Sequence, residues 1–235
     1  MHDRAAWLGI GLYTAAEASR LLALPVAKVR RWLGGYREAG REYPPLWRPQ
    51  LPKLDGQLGL GFLDLMQLRV VARVVAETDI SLQKLRQALV MAQDLLQHAH
   101  PFATAGFRTD GRRLLVEIGQ ETDAPQLYDI LGRQYGFHRI IEPSLKDVDL
   151  DVEITRWWPL GKRRSVVLDP QRSFGAPIAS GSGIPTATLA LAAERHGSAR
   201  EAARRYPPAT EREVRDAIEL EGRLGRSPAP RQMAA

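Results

Sequence analysis

Residues 13–35 read YTAAEASRLLALPVAKVRRWLGG, and this stretch decides how the N-terminal part of the chain is built. Thr14-Ala15-Ala16-Glu17 has the spacing of a capping box: the Thr hydroxyl accepts the amide three residues on, and Glu17 reaches back to the cap amide. A helix beginning there turns Ala15, Ala18, Leu21 and Leu22 to one face. It stops near Leu24, because Pro25 disfavours the α conformation in the residue before it. Pro25 can itself open a second helix, in which Val26, Val29, Trp32 and Leu33 recur at helical spacing until Gly34-Gly35 ends it. Two short helices joined by a short turn make a helix-turn-helix pattern. Lys28, Arg30 and Arg31 fall between the inward positions of the second helix, so they are the candidate DNA-binding residues.

Outward from this stretch, residues 36–61 are rich in Pro and Gly and read as a loop with at most short strands. Phe62, Leu65, Met66, Leu68, Val71, Val74 and Val75 predict a helix over 62–76. Ser81 caps another, with Leu82, Leu85, Leu89, Ala92 and Leu96 on one face. Phe102 to Arg108 and Arg113 to Ile118 flank Asp110-Gly111 and predict a β-hairpin. Leu127–Tyr135 reads as a short helix, and 146–156 as an extended stretch. After Trp157-Trp158-Pro159, strand-like Ser165-Val166-Val167-Leu168 leads into a loop spaced by Gly175, Gly181 and Gly183. A helix over 186–196 follows, ended by Gly197, and Ser198…Glu201 and Thr210…Glu213 are two further capping boxes. The first two of these three helices could form a second helix-turn-helix.

Composition removes several classes of function. With 235 residues, 44% hydrophobic and 26% charged, the chain is an ordinary globular protein. It has no cysteine, which excludes a disulfide scaffold, thiol catalysis and thiolate metal sites. The five histidines (His2, His98, His100, His138, His196) lack metal-ligand spacing, and His98 and His100 read as plain helix-end residues. The sequence shows no signal peptide and no apolar run of the ~18 residues a membrane span needs, so a cytoplasmic location with no membrane partner is expected. Net charge is +6, unevenly spread. Residues 1–77 carry eleven cations against seven acids, 78–160 nine against twelve, and 161–235 thirteen against eight. Basic ends and an acidic middle fit terminal regions that approach a polyanion.

Catalytic constellations are thin. Asp147, Asp149 and Asp151 alternate as on one strand face and read as solvated edge charge. Ser180 and Ser182 lack a nucleophile elbow. The loop from Gly175 to Gly183 lacks a following Gly-Lys-Ser/Thr, so it reads as structure rather than a phosphate cradle. Gly161-Lys162-Arg163-Arg164-Ser165 reads as a solvated basic turn. No enzyme, catalytic residue, cofactor or metal is expected.

Two resemblances sharpen this. The fragment Tyr13-Thr14 through Val29-Arg30-Arg31-Trp32 resembles the first helices of MerR-family regulators, and Phe62-Leu63-Asp64-Leu65-Met66 fits that family's next helix. Here Arg31 replaces the family's aromatic and Val29 its Leu. Residues 165–220 show Val167-Leu168-Asp169-Pro170, Gly175-Ala176-Pro177-Ile178, Gly183-Ile184-Pro185-Thr186, Tyr206-Pro207 and a Thr210-headed helix. They look like a widespread domain of uncharacterised function, many members of which are VapB-like antitoxins beside PIN-domain ribonuclease toxins. Together with Trp157-Trp158-Pro159-Leu160-Gly161, the chain is similar to a longer antitoxin-like subfamily.

The expected fold is mainly α with a small β component: two helix-turn-helix-like domains joined by a helical and β-hairpin middle region. Divisions fall at 1–77, 78–160, 161–224 and a flexible tail at 225–235. The resemblance implies an antitoxin with a PIN-domain ribonuclease toxin and operator DNA as partners. Two operator half-sites call for a homodimer, for which the Leu82, Leu85, Leu89, Leu96 stripe is a candidate surface, packing within the chain being the other use of such a stripe. Toxin contact is expected at Arg223, Arg226 and Arg231. The alternative is a MerR-like transcription regulator without a toxin partner.

Overall fold

Thr14 caps the first helix, α1 (Ala15–Leu22), and both halves of its capping box form: its hydroxyl accepts the Glu17 amide at 3.2 Å, and its own amide donates to Glu17 Oε2 at 2.8 Å. Ala23, in the left-handed conformation, closes α1 before Pro25. The computed structural model describes residues 9–53, 55–78, 80–108 and 141–225. In chain order the remaining elements are β1 (Tyr13–Thr14), α2 (Val26–Gly34), β2 (Tyr36–Glu38), β3 (Arg41–Tyr43), β4 (Gly59–Leu60), α3 (Phe62–Glu77) and α4 (Leu82–Leu96). A 3-10 turn (Pro101–Ala103), α5 (Glu142–Leu145), β5 (Val148–Leu150), β6 (Ile154–Trp157), β7 (Val166–Val167) and β8 (Ile178–Ala179) follow. The last three helices are α6 (Thr186–His196), α7 (Ala199–Arg205) and α8 (Glu211–Gly225). The protein is mainly α with small antiparallel β pairs.

The chain forms two compact units. The terminal unit takes described residues 9–25, 147–149 and 155–225; the central unit takes 26–146 and 150–154 apart from the undescribed positions. The boundary at Pro25–Val26 falls between α1 and α2, so the two helices that the sequence reads as one helix-turn-helix belong to different units.

In the terminal unit α6, α7 and α8 pack around Leu189, Ala192, Ala202, Val214 and Ala217, all buried. Alanine dominates this core, and its small side chains let the three helices approach closely. Gly197 ends α6 with φ +77°, and Ser198 caps α7 by accepting the Glu201 amide. At the start of α8, Thr210 Oγ1 accepts the Glu213 amide while Glu213 accepts the Thr210 amide. Glu213 also accepts the Gly181 and Ser182 amides, tying the glycine loop to α8. Burial works to raise the Glu213 carboxyl, but these hydrogen bonds outweigh it and hold it below the ordinary glutamate value. Tyr13 is buried and donates to the Gly175 carbonyl at 2.7 Å, which fastens the N-terminal segment to the same loop.

The central unit is built on α3, whose residues from Phe62 to Val71 are nearly all buried, with α4 presenting Leu85, Ala88, Leu89 and Ala92 to the core. Leu85 and Leu89 are thereby spent inside the unit, so the leucine stripe is not a free surface for a second copy. The segment Phe102 to Arg108, expected as a strand, is instead the 3-10 turn followed by helical backbone at 105–108. Pro101 sits in the first position of the turn. Thr104 then caps the helix, its hydroxyl accepting the Phe107 amide and donating to the Pro101 carbonyl. The Phe102 and Phe107 rings, both buried, pack with centroids 4.6 Å apart and planes tilted by 34°. The rest of the expected hairpin (Asp110-Gly111 and Arg113 to Ile118) and the Leu127–Tyr135 helix lie outside the described residues.

Candidate functional site

The three cations singled out on α2 have different surroundings. Val29, Trp32 and Leu33 are buried, which turns Lys28, Arg30 and Arg31 outward. Lys28 and Arg30 are exposed and make no ion pair among the described residues. Arg31 is engaged: its guanidinium carbon lies 3.7 Å from the centroid of the Tyr36 ring, and its Nη2 pairs with Glu38 Oε2 at 3.0 Å.

Tyr36 and Glu38 belong to a hairpin that follows α2 directly. β2 and β3 are antiparallel in the register Tyr36–Tyr43, Arg37–Glu42 and Glu38–Arg41, closed by Ala39 and Gly40, both at positive φ. Tyr36, Glu38, Arg41 and Tyr43 share one face; Arg37 and Glu42 occupy the other. The two tyrosine rings stack at 4.6 Å with planes only 6° apart, and the Arg41 guanidinium lies 5.5 Å from the Tyr43 centroid. The hairpin's two three-residue strands fall within the loop with at most short strands expected over 36–61, although the pairing is not signalled, because an Ala-Gly turn lacks the Asn-Gly or Asp-Gly pattern. The available clue is the placing of Tyr36-Arg37-Glu38 and Arg41-Glu42-Tyr43 on either side of Ala39-Gly40, which sets Tyr opposite Tyr and Arg opposite Glu. The outward face of α2 is basic, whereas on the outer face of the adjoining hairpin Arg37 is ion-paired with Glu42 at 3.8 Å.

In the terminal unit Arg223 lies on α8, exposed and ion-paired with Glu219 one turn earlier. Arg226 and Arg231 lie outside the described residues. Leu224, next to Arg223, lines a groove of about 210 Å³ with Leu12, Leu21 and Pro177, and Glu17 and Arg20 also line it. The basic turn expected to be solvated is partly neutralised: Lys162 pairs with Asp149 at 2.7 Å, and Arg164 with Asp216 at 2.8 Å. Burial works to raise the Asp149 carboxyl, yet hydrogen bonds from Lys162 and Trp158 outweigh it and hold it below the ordinary aspartate range.

His98 and His100 do more than end a helix. His98 Nδ1 accepts the His100 amide, and its Nε2 meets Glu153 at 3.1 Å. His100 is buried with Nε2 2.8 Å from Asp64 Oδ1. Asp64 also accepts Trp47 Nε1 and the amides of Gln50 and Gly61, so four donors surround one wholly buried carboxylate. Among the described residues no group of three His, Asp or Glu side chains is arranged to hold a metal ion, and no helix is long and apolar enough to cross a membrane.

No family model matches the chain. Over 228 residues it is 27% identical to a Mycobacterium tuberculosis H37Rv protein named "Putative antitoxin VapB45", with 89% of this chain and 93% of that protein covered. It is 22% identical over 191 residues to "Uncharacterized protein Rv2308" of the same organism, covering 76% of this chain and 77% of the other. Among solved structures, the crystal structure of Rv2018 from Mycobacterium tuberculosis matches with a TM-score of 0.71 at 24% identity, over 90% of this chain and 99% of that one. That last likeness shows the fold.

Proposed function

We propose that this chain is the antitoxin of a type II toxin–antitoxin pair, which neutralises a PIN-type ribonuclease by binding it and regulates its own operon by binding operator DNA. The observation that carries the reading is the likeness to a protein named as an antitoxin, running along 89% of this chain and 93% of that relative. In this reading the protein has no catalytic role. Its chemistry is occlusion: a PIN nuclease gathers carboxylates around Mg²⁺, and an arginine fork matches a carboxylate bidentately. Toxin contact is assigned to the terminal unit, with Arg223 on α8 and Arg226 and Arg231 beyond it.

The test is inhibition of the PIN ribonuclease encoded beside this gene. The full chain is expected to co-purify with it and suppress RNA cleavage, and a chain ending at Arg223 to inhibit more weakly. Equal inhibition by both would remove the assignment of Arg226 and Arg231 and leave the folded terminal unit as the contact. If neither protein binds the nuclease, the antitoxin reading falls, and DNA binding alone would then favour a MerR-like regulator without a toxin partner.

For DNA the central unit offers Lys28, Arg30 and Arg31 beside the β2–β3 hairpin. Phosphate contacts release counterions, so affinity for the upstream DNA is expected to fall steeply with salt. Lys28→Ala and Arg30→Ala should each reduce the log–log salt slope by about one. Electrophoretic shift across a salt series measures this; unchanged slopes would take these two cations out of the interface. Two half-sites call for two copies of the recognition helix. Light scattering is therefore expected to give a homodimer, and the 26.2 kDa monomer mass at micromolar concentration would refute it.

A further inference from the structure

We infer that Arg31 is a positioning residue: stacked on Tyr36 and paired with Glu38, it fixes the β2–β3 hairpin against α2 and so sets how the two approach DNA. The inference rests on the DNA-binding reading above and changes the role given to one of its residues. Three planar groups follow one another here: the Arg31 guanidinium lies 3.7 Å from the Tyr36 centroid, and Tyr36 stacks on Tyr43 at 4.6 Å and 6°. At the other tyrosine, Arg41 lies 5.5 Å from the Tyr43 centroid.

The geometry leaves Arg31 poorly suited to reading a base. A bidentate base contact needs the free edge of the guanidinium, and Nη2 is held by Glu38 at 3.0 Å while the planar face is covered by Tyr36. Lys28 and Arg30 have no such commitments among the described residues. A two-stranded hairpin is barely stable by itself and needs a surface to rest on. β2 and β3 are three residues each, and Arg31 supplies contacts to two residues of β2 from outside the ladder. The register then puts Arg37, ion-paired with Glu42 at 3.8 Å, on the opposite face from Tyr36, so the orientation held by Arg31 decides where that pair points.

The experiment pairs hydrogen–deuterium exchange with DNA titration on the full chain. In Arg31→Ala, amides over 36–43 are expected to exchange roughly tenfold faster, with those of α3 unchanged. DNA affinity is expected to fall while the salt slope stays within less than one of the parent. Arg31→Lys keeps the charge and loses the planar stack, and it should share both effects. Arg30→Ala is the contrast: slope down by about one, exchange over 36–43 unchanged. Parental exchange over 36–43 in Arg31→Ala, or full DNA affinity and protection in Arg31→Lys, would overturn the inference. Should the parent chain bind no DNA, the operator reading falls, and the exchange measurement still decides whether Arg31 holds the hairpin.

Discussion

Asp64→Ala is expected to destabilise the chain by about 3–5 kcal/mol. The carboxylate is wholly buried and accepts Trp47 Nε1 and His100 Nε2 at 2.8 Å and the Gln50 and Gly61 amides at 2.9 Å. Deleting it strands four donors at once, three of them buried and the Gln50 amide half-buried, and the buried ones carry their own desolvation costs. Because whole domains are stable by only about 5–15 kcal/mol, such a loss consumes a large share of the total. Urea titration followed by tryptophan fluorescence would show it as a lowered midpoint, Trp47 itself reporting the change. A loss under about 1 kcal/mol would mean that water or a neighbouring side chain replaces the carboxylate, and the four-donor account would be wrong.

Gly175→Val should lower stability by roughly 3 kcal/mol from two sources, a strained backbone and an overfilled site. Gly175 has φ +80°, and a Cβ there would overlap Tyr13 Oη and come within 3.3 Å of Gly11 Cα. The collision cannot be relieved by moving Tyr13 freely, since its ring is buried and its hydroxyl is committed to the Gly175 carbonyl. Burial first, then the charges of Glu17 and Asp169, push that hydroxyl far above its usual value, which keeps it protonated as a donor to the Gly175 carbonyl. Circular dichroism on heating measures the effect. A midpoint equal to the parent's would show that this loop yields and that Tyr13 does not pin it.

The two cases show what was legible in the sequence. Caps were: Thr14 with Glu17, Ser81, Ser198 and Thr210 with Glu213 stand at helix starts, because an N-cap is a local bargain between a side chain and amides three residues away. Helix extents followed from the same locality, as with Thr186–His196 before Gly197. What escaped depends on partners distant in sequence. Asp64 looks like an ordinary first-turn acid, yet His100 and Trp47 converge on it from 36 and 17 residues away. Tyr13 belongs to a Tyr-Thr opening at a helix start, yet its hydroxyl is spent 162 residues later. Thr104 was legible in principle as a helix cap, but Asp110-Gly111 nearby drew the segment toward a hairpin. For the candidate DNA surface, the order of side chains exposed the cations of α2. It could not show that Arg31 is occupied, because that depends on a hairpin whose turn lacks the usual residues.

The terminal unit is assembled from both ends of the polypeptide, and this sets a clock during synthesis. Residues 9–25 leave the ribosome early, but α8, which packs against α1, is made only after the intervening segments. At roughly 5–20 residues per second, the intervening stretch of about 200 residues takes about 10–40 s to make. Tyr13, Ala15 and Ala18, buried in the finished protein, wait for the later segments of their own unit, whereas the central unit has its whole sequence once residue 154 is made. A message cut short before α8 therefore yields a product in which α1 lacks a helix it packs against, a weakness open to the proteases that clear incomplete chains.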